Sequence, residues 1–248
     1  MRAIDYAYGY QSGLAAKLRS AHVATVMRYV GDSGNPKCLE RVEASGLQQE
    51  GIGLGFVYEG AASWMLQGRA AGIIAAGAAR RHIRDLGGPQ EPFVYFACDF
   101  DARPGQLPEV LACLRGAASV LGADKVGIYG GLAVVTAALK AQAAVRAWQT
   151  RAWSTDAQGE VVWHPGACLR QVGGEAYGSL RGLSYDADEQ VIDDVGQWVD
   201  LKPASKPTPP EPASKPTPPP REPLPIVSGN AWSRIWRRLC SWVRGRVQ

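Results

Sequence analysis

The stretch FVYFACDFDA, residues 93–102, is an apolar run that ends in two aspartates, Asp99 and Asp101, one residue apart. A near-continuous apolar run of this length suits a strand covered on both faces, as in a parallel sheet flanked by helices. A carboxylate at the end of such a strand is costly unless it is paired or opens onto a polar pocket. Working outward from it, further β-rich apolar runs fall at 3–7 (AIDYA), 23–30 (VATVMRYV), 52–59 (IGLGFVYE), 125–131 (KVGIYGG), 145–150 (VRAWQT) and 167–172 (ACLRQV), with a weaker one at 182–188 (GLSYDAD). Helix-like segments lie between most of them, at 13–22, 39–45, 68–86, 106–121 and 132–142. These are Ala-rich with helical spacing, as in Leu107, Val110, Leu111 and Leu114. Pro108 suits a first turn and Gly122 a helix stop.

Strands that alternate with helices imply parallel βαβ units. Eight candidate strands within residues 1–200 fit an α/β fold of the TIM-barrel type, a (β/α)8 barrel whose late helices are shortened or absent. A doubly wound open sheet is the alternative. The barrel is favoured because no GxGxxG or GxxxxGK[ST] loop follows the first strand.

Composition agrees with one sizeable domain and an appendage: 248 residues, 46% hydrophobic and 20% charged. The five cysteines (Cys38, Cys98, Cys113, Cys168, Cys240) include no CxxC pair, and His22, His82 and His164 lie far apart. Neither a disulfide framework nor a Cys/His metal site is expected. The net charge of +4 is uneven, because residues 228–248 carry five Arg and no acid. The rest holds 22 basic and 23 acidic side chains, so a nucleic-acid partner is not expected for the main domain. No apolar run has the length of a transmembrane helix. The opening MRAIDYAYGY lacks the apolar core of a secretory signal, so synthesis in the cytoplasm and release by another factor are expected.

From Leu201 the composition changes. Residues 201–227 repeat the unit PASKPTPP and are expected to form an extended linker without a core. Residues 228–248 regain a helical pattern, with Trp232, Ile235, Trp236, Leu239 and Val243 on one face and Arg234, Arg237, Arg238 and Ser241 on the other. This is the pattern of an interfacial helix, with Trp232, Trp236, Leu239, Arg237 and Arg238 meeting a membrane or anionic envelope surface. Docking back onto the domain or onto a partner is the alternative.

In a (β/α)8 barrel, reactive side chains project from the C-terminal strand ends. Those positions hold Asp5, Arg28, Glu59, Asp99, Asp101, Tyr129, Gln149, Gln171 and Asp186. Crowded carboxylates drive their pKa values apart, and one protonated acid beside an ionised partner is what glycoside cleavage requires. Aromatic residues near the same ends, among them Tyr6, Tyr8, Tyr29, Trp148 and Trp153, offer faces for sugar rings. Each candidate also has a structural reading: Asp5 as a cap, Glu59 as a solvated loop acid, Asp101 as a turn residue, Tyr129 and Gln171 as core.

Taken in order, AIDYA, FVYE, YFACDFDA, VGIYGG, AWQT, LRQVG and YDADE resemble the glycoside-hydrolase-like domains related to the family-25 lysozymes, the peptidoglycan muramidases. The resemblance covers about residues 2–200. It implies a barrel with an acidic pocket, a wall-glycan substrate such as peptidoglycan, and no cofactor. Asp5 and Asp99 match aspartates of the first and fourth strands of those lysozymes, and Asp186 a late one. Where those lysozymes carry a glutamate after the fourth-strand aspartate, this chain has Asp101, shorter by one methylene. Glu59 resembles an acid of the glycoside-hydrolase-like family and is a candidate replacement. The resemblance thus implies Asp5, Glu59, Asp99 and Asp101 as catalytic residues, and the strand-end positions add Tyr6, Arg28, Tyr129, Gln149, Gln171 and Asp186 as candidates against substrate. A silent glycan-binding module is the other reading.

Overall fold

The computed structural model describes residues 1–199 apart from Tyr10 and Ser33. The expected linker, the expected helix and its candidate membrane contacts lie outside the described residues.

Among the described residues eight strands close into a barrel in chain order: β1 (Arg2–Asp5), β2 (Val23–Tyr29), β3 (Gly53–Tyr58), β4 (Val94–Ala97), β5 (Val126–Gly130), β6 (Arg146–Thr150), β7 (Ala167–Gln171) and β8 (Asp186–Gln190). Five α-helices lie along the first two thirds: α1 (Leu14–Ser20), α2 (Arg41–Gln49), α3 (Gly68–Asp85), α4 (Leu107–Leu121) and α5 (Leu132–Lys140).

The expected eightfold β/α pattern needs one correction. β1 to β7 pair in parallel, but β8 runs antiparallel to both β7 and β1. A parallel eighth strand would need a crossover to the far end of the barrel. Residues 172–185 instead stay near the end where β7 finishes, folded on themselves. Leu180 pairs with Leu183, and the Tyr185 hydroxyl accepts the Tyr177 N–H and donates to the Gly178 carbonyl, each at 2.9 Å. The apolar residues of 182–188 that read as strand are spent on this connection, so β8 begins at Asp186. It therefore starts, rather than ends, at the mouth.

The longest helix–helix contact packs α3 against α4. Their backbones touch because Gly72 lies on the Cys113 carbonyl and Gly116 on the Arg69 carbonyl, where any Cβ would collide. Pro108 in the first turn of α4 and Gly122 at its end, with φ of 105°, fix the ends of that helix. The start of β3, below its pairing with β4, is closed by Trp198. Leu54 and Trp198 exchange backbone hydrogen bonds of 2.7 and 2.9 Å.

Two apolar layers result. The outer one lies between strands and helices and includes Ile4, Val26, Leu54, Phe56, Phe96 and Ile128. The inner one fills the barrel with Ala3, Met27, Val57, Tyr95, Ala97, Trp148 and Leu169. Because successive side chains along a strand alternate faces, continuing the inner set toward the mouth reaches Asp5, Tyr29, Glu59 and Asp99.

Candidate active site

The mouth holds a pocket of about 220 Å³. Asp5, Glu59, Asp99 and Asp186 bring four carboxyl groups to its wall. Tyr29, Tyr129, Gln171, Trp148 and Lys37 complete the polar lining.

Asp5 is 4% exposed. Its Oδ2 accepts the Gln171 Nε2–H at 2.7 Å, and Gln171 Oε1 accepts the Tyr129 hydroxyl at 2.8 Å. Burial pushes the Asp5 pKa up to about 7, helped by the charges of Asp186 and Glu59 and opposed by its hydrogen bonds to Gln171 and Asp188. At neutral pH a large share of Asp5 is thus the neutral acid. Glu59 pairs with the Lys37 ammonium at 2.8 Å, and that ammonium lies 5.3 Å from the Tyr29 ring centroid. Asp99 stands at the open edge. Partial burial and then the Glu59 charge raise its pKa, while Lys37 opposes them. Burial raises both Tyr29 and Tyr129, so both phenols remain donors. Asp186 Oδ1 accepts the Gly174 N–H at 3.1 Å.

Asp5, Glu59, Asp99, Tyr129, Gln171 and Asp186 are therefore brought together, and four expected site residues are not. β4 stops at Ala97 and the chain bends at Phe100, leaving Asp101 exposed and outside the pocket lining. Asp99 and Asp101 do not share one extended face.

Tyr6, Arg28 and Gln149 point away from the pocket, because each is one residue out of phase with its inner face. Arg28 is fully buried, and its guanidinium pairs with Glu43 at 2.7 Å and donates to the carbonyls of Tyr6, Tyr8 (2.9 Å) and Lys37 (3.1 Å). The Tyr6 hydroxyl donates to the same Glu43 at 2.6 Å. Gln149 is also fully buried; its amide donates to Ser154 Oγ (3.0 Å) and the Val162 carbonyl (2.7 Å), and its carbonyl accepts the His164 N–H (2.7 Å). These side chains tie down the loops around the mouth and touch nothing in it.

Sequence reasoning missed Lys37 and Asp188, and treated Tyr29 and Trp148 only as general aromatic faces. Phase would have found the last two: Tyr29 follows inward Met27, and Trp148 precedes outward Gln149. That signal is hidden because the strands are apolar on both faces. Asp188 closes the weak run at 182–188; with β8 reversed, it sits fully buried on the inner face below Asp186.

A closed β/α barrel with carboxyl groups gathered at its mouth has the architecture of glycoside-hydrolase-like domains. Residues 16–191 match the family described as Rv2525c-like, glycoside hydrolase-like domain, and the chain belongs to that family. Among solved structures, the Tat-secreted protein Rv2525c of Mycobacterium tuberculosis, crystallised with L-tartrate, is 25% identical, with a TM-score of 0.70 over 80% of this chain and 98% of that one. An uncharacterised protein of B. stearothermophilus is 20% identical, with a TM-score of 0.56 over 77% and 95% of the two chains. GHIP, a glycosyl hydrolase 25 of Streptococcus pneumoniae, is 12% identical, with a TM-score of 0.51 over 76% and 86%. The last two likenesses are of fold. A search of curated proteins finds no match.

Proposed function

We propose that this chain hydrolyses a glycosidic bond of a cell-wall glycan, peptidoglycan or a related polymer, at the barrel mouth. One observation carries the reading: a carboxyl group that burial pushes up to about 7, Asp5, shares a pocket with Glu59, Asp99 and Asp186. A neutral acid and an ionised carboxylate held apart by their surroundings are the two parts that glycoside hydrolysis needs. Asp99 and Glu59 stabilise the oxocarbenium-like transition state or orient water, while Tyr129, Gln171 and Asp186 position the sugar. The family membership and the glycosyl hydrolase 25 fold support the substrate class.

The enzyme acts at the envelope. The relative Rv2525c is a Tat-secreted protein. In a phage-lysin setting, release would come from a partner that opens the membrane. Residues 228–248, with their Trp and Arg pattern, attach the barrel to an anionic surface. Loss of liposome binding on truncation after residue 200, without any effect on DNA binding, tests that attachment.

The decisive assay is clearance of purified peptidoglycan by the wild type and by Asp5→Asn, Glu59→Gln and Asp99→Asn. Wild-type turnover abolished by one of these supports the enzyme. Binding without turnover on every wall type supports a glycan-binding module instead, a reading favoured by the exposed position of Asp101, where the lysozyme pattern wants a glutamate.

A further inference from the structure

We propose that Asp5 and Asp188 hold one proton between their neighbouring carboxyl groups, and that Asp5 is the proton donor of the pocket, with Asp188 as its positioning residue. The assignment deepens the hydrolase reading and rests on it for the identity of the acceptor, but the shared proton does not.

The hydrogen-bond inventory leads to it. Asp188 is fully buried, and its Oδ1 accepts the Trp148 Nε1–H at 2.7 Å. Its Oδ2 is equally buried and meets no N–H or hydroxyl donor. Ala3 of β1 stands opposite Asp188 and Asp5 opposite Asp186, so Asp5 is the diagonal neighbour of Asp188 on the same inner face, and each carboxyl group acts on the titration of the other. An ionised carboxylate only accepts, so a bond between two carboxyl groups requires that one of them carry a proton. Leaving both ionised would place two negative charges side by side without water, which proteins avoid by retaining the proton.

The surroundings favour that proton. Asp186 on β8, Glu59 beyond β3 and Asp99 beyond β4 face the pair with negative charge, and the Lys37 ammonium is engaged by Glu59. From β2 and β5, Tyr29 and Tyr129 present neutral phenols. Burial raises Asp188 well above the usual carboxylate range, as it raises Asp5.

The two members differ in access. Asp5 lines the pocket, and Asp188 lies behind it. Only Asp5 can hand a proton to a bound ligand. In hydrolysis that proton passes to the glycosidic oxygen as the C–O bond breaks, and the bonding electron pair leaves with the departing alcohol. Water adds to the anomeric carbon, and one of its protons returns to the pair.

A carbon-13 NMR titration of aspartate carboxyl groups in the full chain reads the pair without any substrate. Signals missing from Asp5→Asn and Asp188→Asn identify the two groups. In the wild type the pair keeps a proton at pH 6. Asp188→Asn cannot share the proton, so the Asp5 midpoint moves by at least about one pH unit from its wild-type value, tenfold in acidity. Should that variant not fold, Trp148→Phe reads the same coupling: without the indole donor, the pair keeps its proton to higher pH. Both groups ionised at pH 6 in the wild type overturns the proposal, as does an unmoved titration in whichever variant folds. On wall glycan, the alkaline limb of the pH–rate profile follows the Asp5 midpoint and moves with it in Asp188→Asn. A wild type with no turnover but an intact shared proton refutes the hydrolase reading alone.

Discussion

Arg28 and Glu43 form an ion pair at 2.7 Å with side chains 0% and 3% exposed, one strand position away from Tyr29 in the pocket. The same guanidinium holds the carbonyls of Tyr6, Tyr8 and Lys37, so the pair fixes the loop that carries the Lys37 ammonium to Glu59. Removing one partner leaves a buried charge uncompensated, which costs about 3–5 kcal/mol. Glu43→Ala is expected to lose that much unfolding free energy in denaturant titration. An Arg28→Met, Glu43→Leu double variant recovers part of it.

Close approach of α3 and α4 depends on having no side chain at Gly72 and Gly116. The colliding atoms are backbone carbonyls, which cannot rotate away. Gly72→Ala or Gly116→Ala is expected to destabilise the domain by about 1–3 kcal/mol or more, read as a lower midpoint of unfolding.

Asp5 gives the domain an unusual pH dependence. Its pKa rises from 3.8 to about 7 on folding, so between those values the folded state binds a proton that the unfolded chain has released. Stability therefore falls as pH rises across that window, by up to about 1.4 kcal/mol per pH unit for one group. Denaturation at a series of pH values measures the slope. Asp5→Asn should flatten it, and a slope unchanged by that substitution contradicts the assignment.

Lys37 holds Asp99 down against burial and the Glu59 charge. Lys37→Met removes the one cation that lines the pocket among the described residues and is expected to move the Asp99 titration upward in an NMR experiment. Because the ammonium is half-exposed, the effect on global stability should be small, within about 1 kcal/mol.

In the glycan-clearance assay, Asp99→Asn and Glu59→Gln are expected to lower turnover by about 10²–10³-fold, the usual range for losing a group that stabilises the transition state. Asp101→Asn should leave it nearly unchanged, because that side chain lies outside the pocket lining. A large loss at Asp101 with none at Asp99 reverses the roles argued for the two.

The sequence by itself determined the order and type of the elements, since the short apolar runs, the Ala-rich helical periods and the turn residues Pro108 and Gly122 act locally. It also placed Asp5, Glu59 and Asp99 at strand ends, because a carboxylate closing an apolar run has few other places to go. It did not determine phase. Where both faces of a strand are apolar, nothing local says whether Arg28 or Tyr29, Gln149 or Trp148, looks inward; closure of the barrel decides that. Nor did it determine the direction of β8, which follows from residues 172–185 folding on themselves instead of crossing over. That reversal sets Asp188 behind Asp5. Two carboxyl groups 183 positions apart in the sequence meet only because β1 and β8 are neighbours in the closed sheet.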